Sequence, residues 1–392
     1  MCANRMNIVV FILIVFTFFI GSNVLSKYNI QFQHHKIFLI ILCLLNFKKI
    51  YSNGAKLFPQ AIRLLMFTIL YTVFKILTGG SSGNTNMGMI VILPILIFIT
   101  FLSTEGTCLA HKYKNVLYIA YLFECGIAII EKILYVNIFQ LDIGDETILM
   151  SELSSQKFRS IGLYGHPLQN ALVVFTFILF ILIYESNIKL KFLLSIIGVI
   201  SIFCFNTRAA IVMSVLCIAL YMLYWIKVTK KTSGIRITVL VCMFIVFVII
   251  YNLYSSGVIG GRLSSMGLYD DDSASVRIAA WTIFDYYDLS DFIFGINSTE
   301  LELLKYRVGL YAIENFWLNW ILSYGVLFVA GLIMLYIPVM KKLFKKESKF
   351  NTFFIIVPFF VLASTNPSLA VSIVPMTTFL LLSYIMPKDL KQ

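Results

Sequence analysis

Charge is scarce in this chain, and so are the residues that build soluble chemistry. Only 13% of the 392 residues are charged, against 60% hydrophobic. A soluble globule carries about a quarter charged residues, so a large soluble domain is excluded. The four histidines (His34, His35, His111, His166) show no HExxH or related metal spacing, and neither a P-loop nor GxSxG occurs. The seven cysteines form no CxxC, and none falls in the two long polar stretches, which argues against a zinc site and a disulfide framework. "DDD" at 270–272 has no preceding strand and no neighbouring ligands, and reads as a solvated acidic turn. No internal repeat and no low-complexity tract is present. The expectation is a chain with no metal and no cofactor. A net charge of +12 on so apolar a chain points to membrane sidedness and not to nucleic acid.

What is abundant is long apolar runs. Runs of about 20 apolar residues mark membrane helices, and about twelve are legible, near 8–25, 37–47, 61–77, 87–104, 115–135, 168–184, 188–205, 208–226, 237–255, 316–339, 350–364 and 368–386. The first resembles a signal peptide but reads as an uncleaved helix, because so many spans follow. The expected fold is all-α: one polytopic helical membrane domain over 1–392. Lysine sets its orientation. Lys48, Lys49 and Lys56, Lys112 and Lys114, Lys189 and Lys191, Lys227, Lys230 and Lys231, and Lys341, Lys342, Lys345, Lys346 and Lys349 occupy alternate connectors. Placing these inside puts both termini in the cytoplasm and leaves two long external loops, about 136–167 and 256–315.

Arginine runs against the lysine pattern. Seventeen of 23 lysines map inside, whereas Arg159, Arg208, Arg262, Arg277 and Arg307, five of eight arginines, map outside or to the outer edge. Sidedness alone would hold both residues in. The planar guanidinium suits phosphate and carboxylate in a way the ammonium does not.

Three stretches carry candidate chemistry. "RSIGLYGHP" brings Arg159, Gly162, Gly165 and His166 to the start of a span at Pro167. Proline suits the first helical turn, and the helix N-terminus attracts anions; alone, Arg159 reads equally as an interfacial anchor. "NTRAA" places Arg208 in a tight turn between two spans, with no carboxylate within ten residues. An arginine there is costly unless paired. "SVRIAAWTIFDYYDL" reads as an amphipathic helix over about 275–289 on the membrane face, with Arg277 near its start and Ser273 or Ser275 as its cap. "FIFGIN" follows as a turn at Gly295, and Glu314 and Asn315 stand just before the span at 316. Glu314 is a candidate base or arginine partner, or an ordinary helix-start acid.

In their order and spacing these stretches resemble the O-antigen polymerase and ligase group of bacterial membrane glycosyltransferases. "RSIGLYGHP" is similar to R-x-x-G-x-x-G-[HN]-P, and "NTRAA" to T-[SR]-R-[GA]-A. The block with Arg277, Trp281, Gly295, Glu314, Asn315 and Gly325 is similar to R-x-x-x-W, G-x-G and [HE]-N-x-x-L-x-x-x-x-x-x-G. The resemblance covers about 155–330. Leu168 stands where an asparagine is frequent, and Asn297 replaces the second glycine of G-x-G. Glu314 stands where ligases carry histidine, which favours a polymerase.

The resemblance implies a metal-independent polymerase in the bacterial cytoplasmic membrane. It would join undecaprenyl-pyrophosphate-linked oligosaccharides, as donor and acceptor, at the outer face. It further implies pyrophosphate binding by Arg159, Arg208 and Arg277, and an acceptor hydroxyl handled by Glu314 or His166. Gly162, Gly165, Pro167, Gly295 and Asn315 would shape the loops, with a chain-length regulator and a flippase as partners. An O-antigen ligase and a lipid-linked oligosaccharide flippase are the alternatives. A flippase would carry charge along its spans, whereas here only Lys75, Glu124, Glu131 and Lys132 stand out within them.

Overall fold

The structure, a computed structural model, describes residues 59–78, 109–139, 158–228, 278–310, 312–345 and 347–386, with isolated residues between 11 and 24 and between 248 and 255. The expected spans at 37–47 and 87–104 lie outside the described residues, as do most of those at 8–25 and 237–255, Ser273, Ser275 and Arg277. Among the described residues there is helix and no strand.

In chain order the helices are α1 (Pro59–Leu77), α2 (Leu109–Leu134), α3 (Pro167–Tyr184), α4 (Ile188–Cys204) and α5 (Arg208–Val228). A 3-10 turn (Ala280–Tyr286) precedes α6 (Leu289–Phe294), α7 (Ser298–Arg307), α8 (Phe316–Leu343), α9 (Lys349–Ala363), α10 (Ser368–Val371) and α11 (Val374–Ile385). Helices α1, α3, α5 and α8 are long and apolar enough to cross a membrane. The protein is a multi-pass helical membrane protein.

The chain forms two compact units. One comprises Met1–Phe19, Gln31–Ile119 and Asp271–Gln392; the other comprises Ile20–Ile30 and Ala120–Asp270.

In the second unit α3 is the central helix. It is apolar all round, and every residue but Leu168 is buried, as expected of a helix enclosed by others. α4 and α5 pack on it. Between membrane helices apolar burial drives little, so close fit matters more. Gly198 of α4 shows this: a Cβ there would land on the Tyr121 hydroxyl of α2 and on Ile178 of α3. That hydroxyl donates to Leu194 O at 2.7 Å. Asn187 caps α4, its Oδ1 accepting from Lys189 N at 3.1 Å and Leu190 N at 3.4 Å. The α4–α5 turn is short because Asn206 adopts a left-handed φ of 53°, which asparagine tolerates. Two tight reversals therefore set the start of α3, the end of α4 and the start of α5 at one end of the unit.

In the first unit α1 packs against α8. Phe67 stacks on Phe328 at 5.6 Å, and Tyr71 lies 4.5 Å from the same ring. α8 is broken at Gly325, whose φ of 82° and ψ of 161° are not helical. The α6–α7 turn fills the break. Ile296 N donates to Leu322 O at 3.1 Å, Tyr287 OH donates to the same carbonyl at 3.1 Å, and Tyr71 OH donates to Tyr324 O. Lys75 of α1 holds that turn from the other side, donating to Phe294 O and Gly295 O, each at 3.0 Å. A small apolar core of Ala280, Ile283, Ile296, Leu301, Leu310 and Ile313 packs on Leu318 and Leu322 of α8.

The amphipathic helix expected over 275–289 is corrected in part. Residues 278–286 form a short helical stretch that ends in the 3-10 turn, and Tyr287 is extended (φ −95°, ψ 133°). Asp288 then starts α6 with a reciprocal capping box to Asp291. A local cap interrupts what the apolar spacing reads as one helix.

Candidate functional site

The stretch Phe158–His166 is irregular backbone between α2 and α3, and side chains from both helices satisfy its polar groups. Glu131, in the last turn of α2, accepts from Ile161 N at 2.9 Å and Gly162 N at 3.0 Å through Oε2, and from Ile138 N at 2.9 Å through Oε1. Glu124, two turns earlier, accepts from Leu163 N at 3.2 Å. Asn170 of α3 accepts from Tyr164 N at 3.2 Å and donates to His166 O at 3.0 Å and to Ile161 O. Ser160 Oγ donates to Ala128 O at 2.7 Å, and Ser160 N to Cys204 O at 3.1 Å. Irregular backbone inside a helical bundle persists only when its donors and acceptors find protein partners in this way.

Gly162 is required here. Its φ is +52°, and a Cβ would run into Glu124 Oε1 and approach Asn170 Cγ at 3.1 Å. Gly165 is also left-handed, at φ 68°. Pro167 begins α3 after an extended His166 (φ −139°, ψ 121°).

The loop brings Arg159 to the α4–α5 turn. Its Nε donates to Phe205 O at 3.3 Å, three residues before Arg208, the first residue of α5. Both arginines are half-buried, and His166 keeps an open face. Crowding by surrounding protein, then the Arg159 charge, pushes the His166 pKa down to about 4. The imidazole is therefore neutral at physiological pH. Two guanidinium groups, a neutral imidazole and the N-termini of α3 and α5 gather at one end of the second unit. Such a constellation suits a phosphate-bearing anion.

The remaining site residues belong to the first unit. Asn315 caps α8, its Oδ1 accepting from Trp317 N at 2.9 Å and Leu318 N at 3.2 Å. Glu314 stands half-buried just before it. Gly295, at φ 70°, lies against Gly325, and a Cβ on either would overlap the other's backbone neighbourhood. The order in sequence gives the meeting of Arg159, His166 and Arg208, because alternating spans return to one end. The sequence shows Glu124, Glu131 and Asn170 only as polar residues in apolar segments. Their partners lie 6 to 39 positions away for the loop amides they hold, and the one readable signal is the cost of an intramembrane charge.

No protein-family model matches the chain, and no curated protein matches it, so the functional reading is carried by the residues themselves.

Proposed function

We propose that the protein is a polysaccharide polymerase, joining repeat units carried on undecaprenyl pyrophosphate at the outer face of the bacterial cytoplasmic membrane. The observation that carries this reading is that Arg159 reaches the α4–α5 turn, donating to Phe205 O three residues before Arg208, at the end of the unit where His166 and the starts of α3 and α5 lie. The growing chain leaves its lipid carrier as the bond between its anomeric carbon and the pyrophosphate breaks. The departing oxygen keeps the electron pair, and the acceptor hydroxyl forms the new glycosidic bond. Arg159 and Arg208 stabilise the charge growing on the pyrophosphate. His166 takes the hydroxyl proton. Cations fixed in advance supply the neutralisation that a divalent ion would otherwise give, so the reaction runs in a chelator.

The resemblance in the three motifs supports this reading, and Glu314 favours polymerase over ligase. Transport is the competing class, and an interrupted span such as α8 is a feature of transporters. Against it, the Leu322 and Tyr324 carbonyls at the break are taken by Ile296 N, Tyr287 OH and Tyr71 OH. The break is packed with protein and offers those carbonyls to no cargo.

Deleting the chain in its native host and running the surface glycan on a gel tests the reading. The expected result is a ladder collapsed to single repeat units at the surface. Loss of every surface unit with polymer retained on the lipid carrier would indicate a ligase, and units stranded on the cytoplasmic side a flippase; either sinks the proposal.

A further inference from the structure

We infer that Glu131 is a positioning residue: its carboxylate ties the end of α2 to the 158–166 loop and so fixes where Arg159 and His166 stand. The inference rests on the polymerase reading only for what that loop serves.

The geometry separates Glu131 from the other polar groups around the loop. It is fully buried, and it uses both oxygens on backbone donors from two segments, Ile138 on one side and Ile161 and Gly162 on the other. A carboxylate deep in a bundle is costly unless such donors surround it. The next residue reinforces the same junction. The Lys132 ammonium lies 5.3 Å from the Tyr135 ring and 5.6 Å from the Phe158 ring, and those two rings meet edge to face at 5.6 Å. Phe158 immediately precedes Arg159, so the end of α2 holds the loop at its start and again at Ile161–Gly162. Glu124 differs. Among the described residues it accepts from Leu163 N alone, and its buried Oε1 has no hydrogen-bond partner.

This difference makes the inference testable. Glutamine at 131 keeps the shape but replaces one acceptor oxygen with an NH2 group that must face a backbone N–H. Glutamine at 124 keeps the single acceptor that Leu163 uses. The protein carrying E131Q and the protein carrying E124Q are purified, and both are checked for folding by size exclusion and thermal melting. The His166 titration is then followed by NMR, with H166N identifying the signal among the four histidines. In folded E131Q the His166 pKa is expected to rise from about 4 toward the free value of 6.5 as the loop and Arg159 move away, while E124Q stays at the wild-type value. An unmoved His166 in folded E131Q overturns the inference, and so does an equal shift in both variants. If E131Q does not fold, E131D provides the test: its shorter carboxylate keeps the charge but cannot reach both segments, and the same shift is expected. The surface glycan supplies a readout of the reaction, with polymer formation in E131Q expected to fall roughly 100-fold. A shifted His166 with an intact ladder would leave Glu131 as the tie and overturn the polymerase reading of the loop.

Discussion

Replacing Arg208 with lysine is expected to abolish long chains while the protein remains in the membrane at its normal level. Arg208 begins α5, directly after the turn whose Phe205 carbonyl accepts from Arg159. A lysine there keeps the charge and the helix start but loses the planar fork that can grip two oxygens of a pyrophosphate at once. Losing one such contact to a developing negative charge costs roughly 10²–10³ in rate, or about 2.7–4 kcal/mol. On a gel this reads as a ladder reduced to its lowest rungs. Arg63→Lys is the matched control, because Arg63 is an exposed residue of α1 outside the site. A full ladder in R208K, or an equal loss in R63K, removes the reason for an arginine at 208.

Gly325→Ala has the largest expected effect on folding. Gly325 combines φ 82° with ψ 161°, a conformation reached almost only by glycine, and imposing it on another residue costs of order 1–3 kcal/mol. The added Cβ would also overlap Ile293 O, a backbone atom of the α6 segment that cannot swing aside. Alanine must therefore either straighten α8 or push out the turn held by Lys75 and Tyr71. G325A is expected to lower the melting temperature of the purified protein sharply and to reduce the amount recovered as a single species. Gly309→Ala provides the contrast. Gly309 is also left-handed, at φ 72°, but nothing lies within 4 Å of a Cβ there. It should cost only the conformational preference, about 1–2 kcal/mol. Equal melting shifts in the two variants would mean that the contact between Gly325 and the α6–α7 turn does not hold the unit together.

The legible parts of the fold are those set by local chemistry. The span expected at 168–184 appears as Pro167–Tyr184 because Pro167 marks its first turn, and the one expected from 208 begins at Arg208. The break in α8 is invisible in an apolar run, because distant donors on α1 and the α6–α7 turn create it. The polar α7 escaped a reading based on apolar periodicity, although Asn297 capping Glu300 N at 2.8 Å was a readable start signal. The amphipathic helix expected over about 275–289 is helical from 278 to 286 and stops short of its expected end for a related reason. Its apolar spacing is real, but the Asp288–Asp291 box ends one element and begins another. At the candidate site, Arg159, His166 and Arg208 follow from span alternation. Glu131 and Glu124 do not, because nothing local says which loop their carboxylates hold.

On the proposed function, this chain itself transfers glycan between lipid carriers. Reconstituting the purified protein in liposomes with undecaprenyl-pyrophosphate-linked repeat units, in the presence of a chelator, tests it most directly. Longer lipid-linked glycan and one undecaprenyl pyrophosphate released per bond formed are the expected result. Units that cross the bilayer without lengthening, or no change in the lipid-linked pool, would contradict it.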